Sequence, residues 1–306
     1  MGEVSENFRC GMVSIVGRPN VGKSTLLNAI LGQKVAIVSK VPQTTRNQIR
    51  GIYNDERGQI VFIDTPGLVL GKDKLDQLLK KISVGMMQDA DCIIHLVDTH
   101  DPVGQEEEEI VNRLKSLKVP IILGLNKVDL KGRCIPEYLT LWERMKGRSV
   151  HEMKSFTLLP LSGRKGTNID KLLDILFENL PKGPALYPQD MLLDVPQKIV
   201  IADIIREKLL AIMRDEVPHA VAVFVEDIQQ RPKKLIHIRA QILVERESQK
   251  MIVIGKKGEV LKRVGTLARE ELEYLLESKV FLELYVKAKK NWRDNDAILQ
   301  ELGYDF

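Results

Sequence analysis

Lys23 and Ser24 end the octapeptide Gly17-Arg18-Pro19-Asn20-Val21-Gly22-Lys23-Ser24, with Thr25 behind them. This G-x-x-x-x-G-K-S spacing, set between an apolar run and a helical pattern, lets a glycine-bordered loop wrap its backbone N–H groups around a phosphate. Gly17 and Gly22 allow the close approach, Lys23 can reach β- and γ-phosphate oxygens, and the Ser24 hydroxyl can ligate Mg2+. Asp64-Thr65-Pro66-Gly67 closes a later apolar run, where Asp64 can contact Mg2+ through water and the Gly67 amide can sense a γ-phosphate. Asn126-Lys127-Val128-Asp129 closes a third. Its Asp129 carboxylate can accept from the ring N–H and exocyclic amine of guanine, whereas adenine offers no such pair and would leave the carboxylate unsatisfied. Asn126 can bond the other edge of the base and the Lys127 stem can cover the ring. The expected ligands are GTP or GDP with Mg2+.

Residues 39–51, between Ser24 and Asp64, are polar and hold two adjacent threonines. Thr45, with Thr44 as the alternative, can add a Mg2+ ligand only while a γ-phosphate is present, which would make a switch. An ordinary threonine-rich loop has the same composition.

Gly255-Lys256-Lys257-Gly258 poses a different phosphate chemistry. It lies between an apolar helical turn and an amphipathic helix whose Val260, Leu261, Val264 and Leu267 recur at helical spacing, and it lacks the Gly-Lys-Ser ending of residues 22–24. Glycines let a nucleic-acid backbone come close. Lys256 and Lys257, with Lys262 and Arg263 on the next helix and Lys287, Lys289 and Lys290 further on, form a local basic cluster. This is the pattern of a KH-type clamp, which holds about four nucleotides of a single strand. Trp292 nearby either stacks on a base or packs inside, and packing is the commoner use.

These residues need elements to hold them. Short β-branched runs at 12–17, 59–64, 92–98, 119–127 and 155–162 read as buried strands and alternate with helical patterns near 23–31, 74–88, 104–117, 135–146 and 168–180. Such alternation predicts an α/β, doubly wound sheet over residues 1–180. Residues 181–197 carry Pro181, Pro184, Pro188 and Pro196 without a sustained period and read as a linker. Residues 198–306 then group as helix, two strands, two helices and a strand, a smaller α+β domain. The acidic run 106–109 opens a helix and is expected to be a solvated first turn.

Composition sets the outer bounds. A chain of 306 residues with 44% apolar content builds two cores, and Lys and Arg against Asp and Glu stand at 25 to 22 in residues 1–180 and 21 to 20 in residues 181–306, so neither part is basic as a whole. Cys10, Cys92 and Cys134 have neither disulfide-framework nor zinc spacing, and no apolar run reaches membrane-spanning length. The opening MGEVSENFRC lacks the form of a signal peptide, so the expected compartment is the cytosol.

On GRPNVGKS and the Thr44-Thr45-Arg46 loop, residues 1–180 resemble the translation-factor-related Ras-like GTPases. Within that resemblance residues 161–166, LSGRKG, fall at the fifth guanine motif: Ser162 and the following amides can bond the guanine O6, with Gly163 in the place of an alanine. Leu68 stands where many such enzymes have a water-orienting Gln, which implies slow hydrolysis. Asn20 is either a ligand for a K+ that substitutes for an arginine finger or an asparagine satisfied inside the turn.

GTPase domain, proline-rich linker and type II KH domain together, with ADIIREKL, QILVERESQK and VIGKKG, resemble the Era-type family along nearly the whole chain. That resemblance implies a monomeric GTP-hydrolysing switch that binds the 3′ region of small-subunit ribosomal RNA and assists small-subunit assembly. It also implies a fraction in peripheral contact with the inner membrane face. Two rivals are a GTPase of tRNA modification, for which no cysteine motif or cofactor loop follows residue 180, and an RNA-binding scaffold that uses GTP with little hydrolysis.

Overall fold

Apolar runs without polar alternation must be covered on both faces, and helices on either side of a parallel sheet do this. In the computed structural model, which describes residues 7–39, 41, 46, 49–65, 71, 73–130, 134–213 and 217–304, the order is β1 (Arg9–Val16), α1 (Lys23–Leu31), β2 (Ile49–Asp55), β3 (Gly58–Asp64), α2 (Lys74–Gln88), β4 (Cys92–Asp98), α3 (Gln105–Leu114), β5 (Ile121–Asn126), α4 (Ile135–Lys146), β6 (Phe156–Pro160), α5 (Ile169–Asn179) and β7 (Leu193–Asp194). Thr44, Thr45, Pro66, Gly67 and Leu68 lie outside the described residues.

The strands form one sheet in the order β6-β5-β4-β1-β3-β2-β7. β1 is parallel to both β3 and β4, so the loop after β1 leaves the sheet where the strand order reverses, the usual place for a ligand crevice. Asp64 and Asn126 end β3 and β5 at that same C-terminal edge. Two expectations need correction. Residues 49–51, read as loop, begin β2, which runs antiparallel to β3; Gly51 sits under α1, where a Cβ would lie 2.6 Å from Leu31. Residues 181–197 are also not a free tether. β7 pairs with β2, and the buried Gln59 side chain accepts from the Leu186 and Tyr187 amides at 2.8 and 2.9 Å. Neither contact leaves a local period in the sequence.

The chain divides into two compact units, Met1–Val38, Gln48–Gly71 and Leu79–Asp194 in one, Ser39–Asn47, Lys72–Leu78 and Val195–Phe306 in the other. The second has α6 (Gln197–Ile212), α7 (Val217–Ala220), β8 (Ala222–Arg231), β9 (Leu235–Val244), α8 (Glu247–Ile254), α9 (Glu259–Leu275), β10 (Lys279–Ala288) and α10 (Asp296–Glu301). Its sheet runs β10-β9-β8, with β9 parallel to β10 and antiparallel to β8. Ile205 and Leu209 of α6 and Val264, Ala268 and Leu272 of α9 bury against Ile238, Ala240 and Ile242 of β9. Trp292 is fully buried and donates its indole N–H to the Ala220 carbonyl at 2.9 Å, so it packs and does not offer a stacking face. Among the described residues no helix is long and apolar enough to cross a membrane.

Candidate functional site

The loop after β1 is built by close approach. A Cβ at Gly17 would lie 2.2 Å from the Leu96 carbonyl oxygen, and Gly22, at φ 103°, would place one 2.5 Å from Asn126 Nδ2. Asn20 also sits in the left-handed region, at φ 64°, where Asn is tolerated better than most residues. Lys23 is buried and donates Nζ to the Gly17 and Arg18 carbonyls at 3.0 Å each, which holds the ammonium inside the curve of the loop. Burial lowers its pKa, and the Asp64 and Glu107 carboxylates work in the opposite direction. Ser24 Oγ donates to Asp64 Oδ2 at 2.8 Å, so the two hard oxygen donors expected for Mg2+ meet at the mouth of the loop. Thr65 turns away: its hydroxyl donates to the Ile15 carbonyl at 2.8 Å and ties β3 to β1.

The base end of the site is a set of cross-links between loops. Asn126 Nδ2 donates to the Val21 carbonyl at 2.7 Å, and its Oδ1 accepts from the Gly163 amide at 3.1 Å. Its side-chain amide therefore joins two loops, a positioning use in addition to the base contact expected from sequence. Lys127, at φ 65°, lays its side chain over the loop, donating to the Asn20 carbonyl at 3.0 Å and pairing with Asp98. Asp129 stands exposed with Ser162 Oγ donating to it at 2.6 Å, and this hydrogen bond holds its carboxyl below the usual range. The acceptor thus stays ionised and aimed. Gly163 packs close against α1, since a Cβ there would come within 3.1 Å of the Leu26 backbone. Arg18, Pro19 and the buried Val21 belong to the loop's frame, and Thr25 follows Ser24 in the first turn of α1.

In the second unit the Gly255–Gly258 turn has positive φ at Gly255 (74°), Lys257 (51°) and Gly258 (79°). Gly255 abuts Val260, where a Cβ would clash at 2.4 Å, while Gly258 faces open space. Lys256, Lys257, Lys262, Arg263, Lys287, Lys289 and Lys290 are all exposed. Beside the turn runs a groove of about 430 Å³ between Leu261, Gly265, Thr266 and Arg269 of α9 and Phe281 and Leu284 of β10. Sequence reasoning missed these lining residues. The signal was the alternation of β10: Val280, Leu282 and Leu284 point inward, so the 57% exposed Phe281 is an apolar side chain on the wrong face for a core.

Residues 12–127 match the family model described as 50S ribosome-binding GTPase, and residues 216–293 match the KH domain. The chain is 44% identical to the GTPase Era of Halothermothrix orenii over 97% of this chain and 99% of the relative. It is also 44% identical to that of Geobacter metallireducens, over 98% and 100%. It belongs to the Era family of GTPases.

Solved members of that family have the same architecture. An Aquifex aeolicus Era variant bound to GDP·AlF4− superposes with a TM-score of 0.90 at 37% identity, covering 98% of this chain and all of that one. Era in complex with MgGDPNP and nucleotides 1506–1542 of 16S ribosomal RNA gives 0.91, at the same identity and coverage. A Ras-like α/β domain followed by a type II KH domain is thus the fold of the chain.

Proposed function

We propose that this chain is a GTP-hydrolysing switch that reads the 3′ region of small-subunit ribosomal RNA and assists assembly of that subunit. The observation carrying the nucleotide half is the convergence of Lys23, the Ser24–Asp64 pair and the Ser162-held Asp129 at one edge of the sheet. The RNA half rests on the glycine turn with its exposed lysines beside an apolar groove, the parts of a single-strand clamp. Full-length kinship with Era supports joining the two, since one relative was solved with 16S ribosomal RNA.

Lys23 and the loop amides bind and orient the phosphates, and their fixed charge and dipoles stabilise a transition state with charge spread over the γ-phosphoryl oxygens. Ser24 and Asp64, with Thr45 or Thr44, would hold Mg2+, which when bound neutralises charge between the β- and γ-phosphates. Gly67 would report the γ-phosphate. With Leu68 unable to orient water, hydrolysis is slow, and Asn20 is the candidate ligand for an assisting K+. Equal turnover in potassium and sodium would end that last assignment.

The chain acts as a monomer in the cytoplasm, with a fraction in peripheral contact with the inner membrane face. GTP- and GDP-bound forms differ in RNA affinity, and RNA in turn alters nucleotide affinity. Crosslinking through residues 255–258 in cells tests the whole reading. Enrichment of the 3′ region of small-subunit ribosomal RNA is the expected result; enrichment of tRNA would favour the tRNA-modification rival.

A further inference from the structure

The acidic run 106–109 opens α3, and one member departs from a solvated turn: Glu107 is fully buried. Its carboxylate faces two donors. Oε2 lies 2.8 Å from Arg18 Nε in a close ion pair, and Oε1 lies 2.6 Å from His95 Nε2. The Trp142 indole N–H donates to His95 Nδ1 at 3.2 Å. An indole nitrogen can only donate, so Nδ1 is an acceptor and the ring hydrogen sits on Nε2, pointing at Glu107. Arg18 completes its own fork by donating Nη2 to the Tyr138 hydroxyl at 2.9 Å, and Tyr138 is held at the Asp98 and Asp101 carbonyls at 3.0 and 2.7 Å.

This chain of contacts ends at the phosphate site. Arg18 lies between Gly17 and Pro19, and its backbone carbonyl is one of the two that hold Lys23 Nζ. An unbroken line therefore runs from Trp142 in the core through His95, Glu107 and Arg18 to the lysine of the loop. Resting on the nucleotide-site reading above, we propose that Glu107 is a positioning residue for nucleotide binding: it fixes Arg18 behind the loop so that the carbonyls and amides around the phosphate are preformed.

The argument from donors is specific to a carboxylate. Glu107 turns one oxygen to each of two N–H groups, hydrogen-bonded to His95 and ion-paired with Arg18, whereas a glutamine has one acceptor and one donor group, and its amide would confront either the His95 or the Arg18 N–H. Asn126, by contrast, uses one donor and one acceptor, so an amide suits that position. A loop shape held in advance serves the phosphates in the ground state and in the transition state alike, so its loss weakens binding without slowing the bound nucleotide's hydrolysis. The signature is therefore a loss of affinity separated from a loss of rate.

The test uses the full chain, with a fluorescent GDP analogue titrated into wild type, Glu107→Gln, Arg18→Gln and the double variant, and single-turnover hydrolysis of preloaded GTP. Each single change is expected to weaken GDP roughly tenfold, the scale of one charge-assisted hydrogen bond. The double variant is expected to bind within about threefold of the weaker single one, since both break one connection. Hydrolysis of bound GTP in Glu107→Gln should stay within about threefold of wild type, a split between affinity and rate that a loss of fold would not give. Affinity within twofold of wild type, or losses that multiply in the double variant, would overturn the proposal. Should Glu107→Gln fail to fold, Arg18→Lys, which keeps the charge and loses the fork, must still weaken GDP; unchanged binding there overturns it equally. Failure of the wild type to bind GDP would overturn the nucleotide reading itself and the inference with it.

Discussion

The chain has two glycine-framed loops that suit phosphates, and they are built in opposite ways. Residues 17–24 are held from every side: Lys23 by two carbonyls, Val21 by Asn126, Asn20 by Lys127, and Gly17 by the Leu96 backbone. Residues 255–258 take positive φ at three of four positions and send their lysines into solvent. A small, highly charged ligand with one shape rewards rigid preorganisation, since no ordering has to be paid for on binding. A polymer backbone presents similar phosphates along its length, and charge beside a sequence-tolerant apolar surface is enough to hold it. The difference teaches that a motif's glycines show where phosphate comes near, while the surrounding contacts show how selective the site is.

The largest effect that separates the loops is expected from Lys23→Ala, which should weaken GDP on the order of a hundredfold or more in a fluorescence titration. Next is Asp129→Asn. It removes the acceptor for guanine's donor pair and presents an amide to the C2 carbonyl of xanthine, so competition titrations should show GDP losing on the order of a hundredfold against the xanthine nucleotide. On the RNA side Phe281→Ala should cost about 1–3 kcal/mol if a base stacks on it, measured by filter binding of a single-stranded RNA segment. The smallest effect is a shift on the pH axis. The Ser162 hydrogen bond depresses the Asp129 pKa, so guanine binding persists as pH falls until the carboxylate protonates. Ser162→Ala should move that acid limb to higher pH, read from GDP affinity across roughly pH 3 to 6.

Much of the two-domain plan was legible in the sequence because the backbone of each loop demands particular residues. Gly22, Gly255 and Gly258 take positive φ, a condition set by their own backbone, and local conditions leave motifs. The β2–β7 edge of the first sheet was not legible, since those strands depend on each other and on Gln59, far apart in the chain. The tie from Asn126 to two loops was hidden for the same reason. Glu107 was legible in principle. It shares a helical stripe with Ile110, Val111 and Leu114, so an acid at the head of an apolar face announced a buried partner that the run's composition concealed.

The account rests on the two loops having separate clients, and Lys256→Glu with Lys257→Glu tests that most directly. The same protein preparation is titrated with an RNA segment from the 3′ end of small-subunit ribosomal RNA and with GDP. RNA affinity should fall about tenfold or more with a shallower salt dependence, because two phosphate contacts are lost. GDP affinity should remain within about twofold of wild type, as no contact of residues 17–24 is touched. RNA binding that survives both reversals, or a parallel fall in RNA and GDP affinity, would contradict the division of labour between the loops.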